Sequence, residues 1–249
     1  MRLKIDREQF LKGLNIAGKA IKGSADSLMD NLKIELNEKG LEITGTNNEI
    51  TIRSLVPYRI GNREIIRATG YGATLVKAKN IIPTIRGMEG EEISFEVIDE
   101  TMAIINDDRS NYKFVCMKAQ EYVDIDLEPN GVILSLPCAD FINLVDQTAF
   151  AASTAASRDQ RPILASVNFD ASNGVLVATA TDTSRLARKT LQIETDASFR
   201  CNVPAKTLIE VARLLEGLDR LTIAVSESSI LFIFDNTVFC SDRKSTRLN

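Results

Sequence analysis

Two stretches of this chain repeat each other. Lys79, Ile82, Arg86 and Gly90 return as Lys206, Ile209, Arg213 and Gly217 at a constant offset of 127, and Ile93-x-Phe95-x-Val97 is answered by Leu221-x-Ile223-x-Val225 one position later. A fixed offset that carries a helical pattern and the strand after it marks a duplicated unit. It restricts the fold to two copies of one order of elements, and 249 residues suffice for two modest domains.

The local patterns give that order. Asp6 is placed to cap an amphipathic helix over Arg7 to Lys22, with Phe10, Leu14, Ala17 and Ile21 on one stripe and Lys12, Asn15, Lys19 and Lys22 opposite. Gly13 and Gly18 each weaken such a helix by roughly 1 kcal/mol against Ala, so packing must hold it. Leu32 to Leu36 and Leu41 to Thr44 alternate as strands joined by Asn37-Glu38-Lys39-Gly40, with Gly40 placed for a positive φ. Ile50 to Ile52 and Ile65 to Arg67 read as a continuation of this meander, and Thr69-Gly70-Tyr71-Gly72-Ala73 as a turn without phosphate-cradle spacing. A second helix spans roughly Ala78 to Met88 on Ile81, Ile82, Ile85 and Met88, with Lys79 and Arg86 outward and Pro83 calling for a kink or a late start. Strands follow at Ile93 to Val97, Met102 to Ile105 and Tyr112 to Cys116, and Ala119 to Asn130 reads as an extended acidic linker.

The second half opens with a helical pattern over Asp140 to Ser153 and strands near Leu164 to Phe169 and Val175 to Ala180. Both faces of the latter strand are apolar, which predicts a covered sheet. Thr181-Asp182-Thr183-Ser184-Arg185-Leu186 then carries turn chemistry, and on these residues alone it is a hairpin connection. The fourth helix turns Leu208, Val211, Ala212 and Leu215 inward and Lys206 and Arg213 outward. Equivalent helices therefore present the same basic pair, on a chain whose net charge is −4. The third helix does not join in, since its outward face holds Asn143, Asp146 and Gln147, with Arg158 beyond its end.

Composition removes most catalytic chemistry. The chain has no histidine, which excludes Ser-His and Cys-His pairs and His-dependent metal sites. Cys116, Cys138, Cys201 and Cys240 are scattered and read as reduced structural thiols, and Asp124-Ile125-Asp126 as solvated linker acids. No metal or cofactor is expected. The apolar runs are too short to cross a bilayer and Met1 leads into no apolar signal segment, which predicts a cytoplasmic protein without a membrane partner.

Several segments together resemble the bacterial replicative sliding clamp, the beta subunit of DNA polymerase III. They are Arg161-Pro162-Ile163-Leu164, Ala180-Thr181-Asp182-Thr183-Ser184-Arg185-Leu186-Ala187 and Val203-Pro204-Ala205-Lys206, supported by Phe150-Ala151-Ala152-Ser153 and Ile43-Thr44-Gly45-Thr46-Asn47. The resemblance runs to about Cys240. It implies an α+β fold of two tandem DNA-clamp domains, each with two helices packed on antiparallel sheets, at 1–120 and 131–241 with a linker at 121–130. A third copy is expected beyond about Cys240 in the natural parent, and 242–249 reads as a non-native tail like a translated sequencing-library adapter.

The function implied is that of a non-catalytic processivity factor, a homodimeric ring enclosing double-stranded DNA without reading its sequence. Lys12, Lys19, Lys22, Lys79, Arg86, Arg158, Lys206 and Arg213 would face that DNA. Leu164, Thr181, Thr183, Ser184, Arg185 and Leu186 match positions of a cleft for short apolar peptides. The resemblance supplies as partners the DNA polymerase III catalytic subunit, the clamp loader, repair polymerases, ligase and mismatch-repair proteins. Thr183-Ser184 stands where the family usually has Gly-His, which narrows the pocket or changes its hydrogen bonding. The other reading is a clamp-like scaffold that binds peptides without encircling DNA.

Overall fold

The computed structural model describes residues 1–21, 28–123, 125–153 and 161–242, so Lys22, Asp124, Arg158 and 243–249 lie outside the described residues. The chain divides into two units, Met1–Asp126 and Leu127–Asn249.

In the first unit the order is β1 (Arg2–Asp6), α1 (Arg7–Gly18), β2 (Asn31–Asn37), β3 (Gly40–Thr46), β4 (Ile50–Pro57), β5 (Arg59–Ile60), β6 (Arg63–Glu64), β7 (Ile66–Gly70), β8 (Gly72–Lys77), α2 (Ala78–Gly87), β9 (Glu92–Ile98), β10 (Met102–Asn106), β11 (Asn111–Val115) and β12 (Met117–Lys118). One antiparallel sheet runs β11-β10-β9-β1-β7, and a second set of strands runs β12-β8-β2-β3-β4. Asp6 caps α1 by accepting from the Gln9 backbone N–H at 2.9 Å. The helix buries Phe10, Leu14 and Ala17 in a core shared with Leu3, Ile34, Ile81, Ile85 and Phe95, and Phe10 meets Phe95 edge to face at 5.9 Å.

Glycines set how closely α1 lies on its sheet. A Cβ at Gly45 would stand 2.3 Å from the Ala17 carbonyl oxygen, a distance that only the missing side chain permits. The helix ends at Gly18, short of the expected Lys22. Gly18 itself lies against Ile82 of α2, so its value is close packing and not helix propensity.

Three expectations for this unit change. Ile65 to Arg67 does not extend the β2–β4 meander; β7 pairs with β1, in register Ile5↔Ile66, within the other sheet. Thr69 to Ala73, expected as a turn, is strand on either side of Tyr71, where β7 gives way to β8 and the chain changes sheets, with Gly72 at φ +152°. Pro83 sits inside an uninterrupted helix that starts at Ala78, so there is no late start.

The segment read as an extended acidic linker begins as a short 3-10 turn at Ala119–Glu121. Tyr122 then folds back and is buried, donating its hydroxyl to Asn31 O at 3.2 Å and Thr44 O at 3.4 Å.

The second unit runs β13 (Val132–Pro137), α3 (Cys138–Asp146), β14 (Ser166–Ser172), β15 (Val175–Thr181), β16 (Leu186–Gln192), β17 (Phe199–Pro204), α4 (Ala205–Leu214), β18 (Arg220–Val225), β19 (Ser229–Phe234) and β20 (Thr237–Asp242). Its strand orders are β16-β15-β14-β17 and β20-β19-β18-β13. These repeat β4-β3-β2-β8 and β11-β10-β9-β1, and α2 and α4 are both ten residues long, starting at Ala78 and Ala205. Phe141 of α3 touches Phe169 of β14 and Phe232 of β19, joining helix to both strand layers.

Here too the structure corrects particulars. The helix expected over Asp140 to Ser153 begins at Cys138, stops at Asp146 and is followed by a 3-10 turn at Ala149–Ala151. Leu164 belongs to a 3-10 turn, Pro162–Ala165, and the strand starts at Ser166. β15 is covered on one face only: Leu176, Ala178 and Ala180 are buried, while Val175, Val177 and Thr179 are half-buried. Asp242 pairs with Ser229 inside β20, so the strand pattern persists one residue into the expected tail.

Candidate nucleic-acid and peptide interface

The basic faces are built by helix periodicity alone. Lys12 on α1 and Lys19 just past its end, Lys79 and Arg86 on α2, and Lys206 and Arg213 on α4 are all exposed, because burying the apolar stripes leaves these positions outward. Arg86 donates to Asn15 Oδ1 at 3.1 Å, so the outer faces of α1 and α2 adjoin. Arg213 is less available than its counterpart Arg86, since it pairs with Glu210 at 2.6 Å one turn earlier. α3 presents Asn143, Asp146 and Gln147, with Gln147 bonded to Asn143 at 2.6 Å, and carries no cation.

The six expected cleft residues divide into two groups. Asp182 organises the turn. Its Oδ1 accepts from the Ser184 and Arg185 backbone N–H groups at 3.0 and 2.7 Å, and its Oδ2 pairs with the Arg185 guanidinium. The Arg185 N–H and then its guanidinium hold the Asp182 carboxyl below the ordinary carboxylate range. Thr181 Oγ1 donates to Arg185 O at 2.6 Å and accepts from the Thr183 N–H at 3.1 Å. This bracing sets Thr183 at φ +79°. Thr183, Ser184, Arg185 and Leu186 stand out from the surface, with Leu186 70% exposed.

Leu164 and Thr181, by contrast, border a groove of about 360 Å³ on the outer face of β14, β15 and β17. Ile163 and Leu164 form its apolar end. Ser166, Asn168, Thr179 and Asn202 supply a polar floor, with Arg200 at the rim. Arg200 is paired with Asp170. Ile163, Asn168, Thr179, Arg200 and Asn202 escaped the sequence reading, although Arg200-Cys201-Asn202-Val203 carries the alternation that turns Asn202 outward.

Among the described residues no group of three or more Cys, Asp or Glu side chains could hold a metal ion. No helix of them is long and apolar enough to cross a membrane.

The geometry matches known proteins throughout. The family pattern of the DNA polymerase III beta subunit, N-terminal domain, matches residues 1–126, and that of its central domain matches 135–243. The beta sliding clamp of Halalkalibacterium halodurans is 28% identical over 247 residues, covering 97% of this chain and 64% of that protein. The Bacillus subtilis beta sliding clamp is 26% identical over 245 residues, with the same shares. The chain thus spans about 64% of the length of these curated relatives. Among solved structures, the Bacillus subtilis DNA polymerase sliding clamp shares the fold at a TM-score of 0.94 and 24% identity, covering 100% of this chain and 66% of that one. The beta subunit from the DNA polymerase of Streptococcus pyogenes follows at a TM-score of 0.90 and 25% identity, with the same coverage. With both patterns matched in order along it, the chain belongs to the DNA polymerase III beta subunit family, of which it carries the N-terminal and central domains.

Proposed function

We propose that the protein carrying this chain is a non-catalytic sliding clamp of the bacterial cytoplasm, contributing two clamp domains to a homodimeric ring that holds double-stranded DNA and tethers its polymerase. The observation that carries this reading is the recurrence of one basic pair, Lys79/Arg86 and Lys206/Arg213, at equivalent places on α2 and α4 of an acidic chain. Such cations touch phosphates as point charges, and few of them are needed when the DNA is retained by enclosure. Tight or base-reading contacts would hinder movement along the duplex.

The second part of the proposal is that Leu164 and Thr181, with the exposed Leu186 that pairs with Thr181 across the β15–β16 turn and its neighbour Arg185, receive the apolar peptide of a partner. The catalytic polymerase subunit and the clamp loader are the foremost candidates. Leu186 offers apolar area at the surface, and Leu164 sits at the apolar end of a preformed groove.

The experiment is retention. Loaded onto a nicked circular duplex, a clamp carrying this chain stays bound through gel filtration and is lost once the circle is linearised. Equal loss from circular and linear DNA overturns encirclement.

A further inference from the structure

The groove beside Leu164 is lined by Asn202, whose side-chain donor the fold does not use. Strand register sets Thr179, Asn168 and Asn202 side by side across β15, β14 and β17. Asn168 Nδ2 donates to Asn202 Oδ1 at 3.0 Å and to Cys201 O at 3.4 Å. The Cys201 carbonyl fixes the orientation of both amides. It requires the nitrogen of Asn168 to face it, and that nitrogen then requires the oxygen of Asn202. Asn202 Nδ2 is left over. Asn202 is 2% exposed, and its Nδ2 finds no hydrogen-bond partner among the described residues.

A buried donor without an acceptor is a net cost to folding, and two apolar side chains of similar shape would remove it. The asparagine pair therefore contributes little that the sheet needs. The groove it lines joins an apolar end, Ile163 and Leu164, to a polar end with Asn202 and Arg200, where Asn202 Nδ2 is itself buried. A carboxylate only accepts hydrogen bonds, so it complements such donors better than a hydroxyl or an amide, which also bring donors of their own. Asp170 already offsets the charge of Arg200, so hydrogen bonding and not bulk charge must supply most of the preference.

We infer that this groove is a subsite for an acidic side chain, Asp or Glu, of a docking peptide whose neighbouring apolar residue lies against Leu164. The inference rests on the reading of Leu164 and Thr181 as part of a peptide cleft, and it adds a polar selectivity to that cleft. Small side-chain movements that uncover Asn202 Nδ2 accompany binding.

The test uses the full chain and fluorescein-labelled heptapeptides with a central leucine, with Glu or Ala on either side of it, read by anisotropy. One Glu placement binds about tenfold tighter than its Ala counterpart, the value of one charge-assisted hydrogen bond. Asn168→Leu with Asn202→Leu reduces that ratio below about twofold and does not lower the melting temperature. Equal binding of Glu and Ala peptides by the wild type, or a preference that survives the double substitution, overturns the subsite while the cleft stands. Failure of every peptide to bind overturns the cleft itself, and this subsite with it.

Discussion

Thr183 is a β-branched residue in the left-handed region, at φ +79°, where Cβ crowds the backbone. The surrounding turn forces it there: Thr181, Asp182 and Arg185 close the connection through four side-chain bonds to backbone groups within five residues. Glycine, the usual family residue implied at this position, meets that φ without strain. Asparagine also tolerates it, with less unfolded-state entropy than glycine. Thr183→Asn therefore raises stability by about 0.5–1 kcal/mol, measurable as a shift in urea midpoint at constant slope. A lower midpoint would show that the threonine side chain is an asset here. The turn chemistry was legible from Thr181-Asp182 as types of residue, but the strain was not, because φ at Thr183 depends on where β16 resumes.

At the scale of elements, Tyr122 shows how a segment rich in acids can be pinned. Its ring is buried against the β2–β3 layer and its hydroxyl donates to Asn31 O and Thr44 O, so burial pushes its pKa up to about 12. The folded chain thus favours the neutral phenol, while the unfolded chain ionises near pH 10. Tyr122 contributes its full stabilisation below about pH 10, and that contribution drains away as pH rises from there towards 12. Tyr122→Phe loses a hydrogen bond and is less stable by about 1 kcal/mol at pH 7. It does not ionise, so the wild-type advantage shrinks from about pH 10 and reverses before about pH 12 in parallel denaturant titrations. Parallel curves over that window would place the ionising group elsewhere. The same element explains what sequence could and could not reveal. Helix α1 was legible because Asp6 and the Phe10, Leu14, Ala17 stripe are local signals. The sheet change at Tyr71 was not, because Ile66 to Gly70 reads as a strand whichever sheet receives it, and only pairing with β1 decides. The groove residues Asn168 and Asn202 lie 34 positions apart, and their meeting is likewise a matter of register.

Over the whole molecule, the charge pattern is the property closest to function. The chain carries 34 acidic and 30 basic residues, yet the outer faces of α1, α2 and α4 concentrate cations on an acidic body. Bulk attraction is therefore weak, and on the proposed reading duplex binding would depend on these few exposed side chains. Removing two of them with Lys79→Ala and Arg86→Ala lowers affinity equally for duplexes of unrelated sequence. It also makes the salt dependence shallower by at most about 1.8 in the logarithmic slope, since no more than two phosphate contacts are lost. Glu210 works in the opposite direction by holding Arg213 in an ion pair. Glu210→Gln deletes that carboxylate and frees the guanidinium, so duplex affinity rises on the order of threefold at about 50 mM salt and the gain fades near 0.5 M, where the Debye length falls to roughly 4 Å. Measuring both variants across one salt series separates the readings. Opposite shifts that vanish together at high salt mark α2 and α4 as phosphate-facing, whereas a loss confined to one duplex sequence, or no response to either change, places the DNA elsewhere.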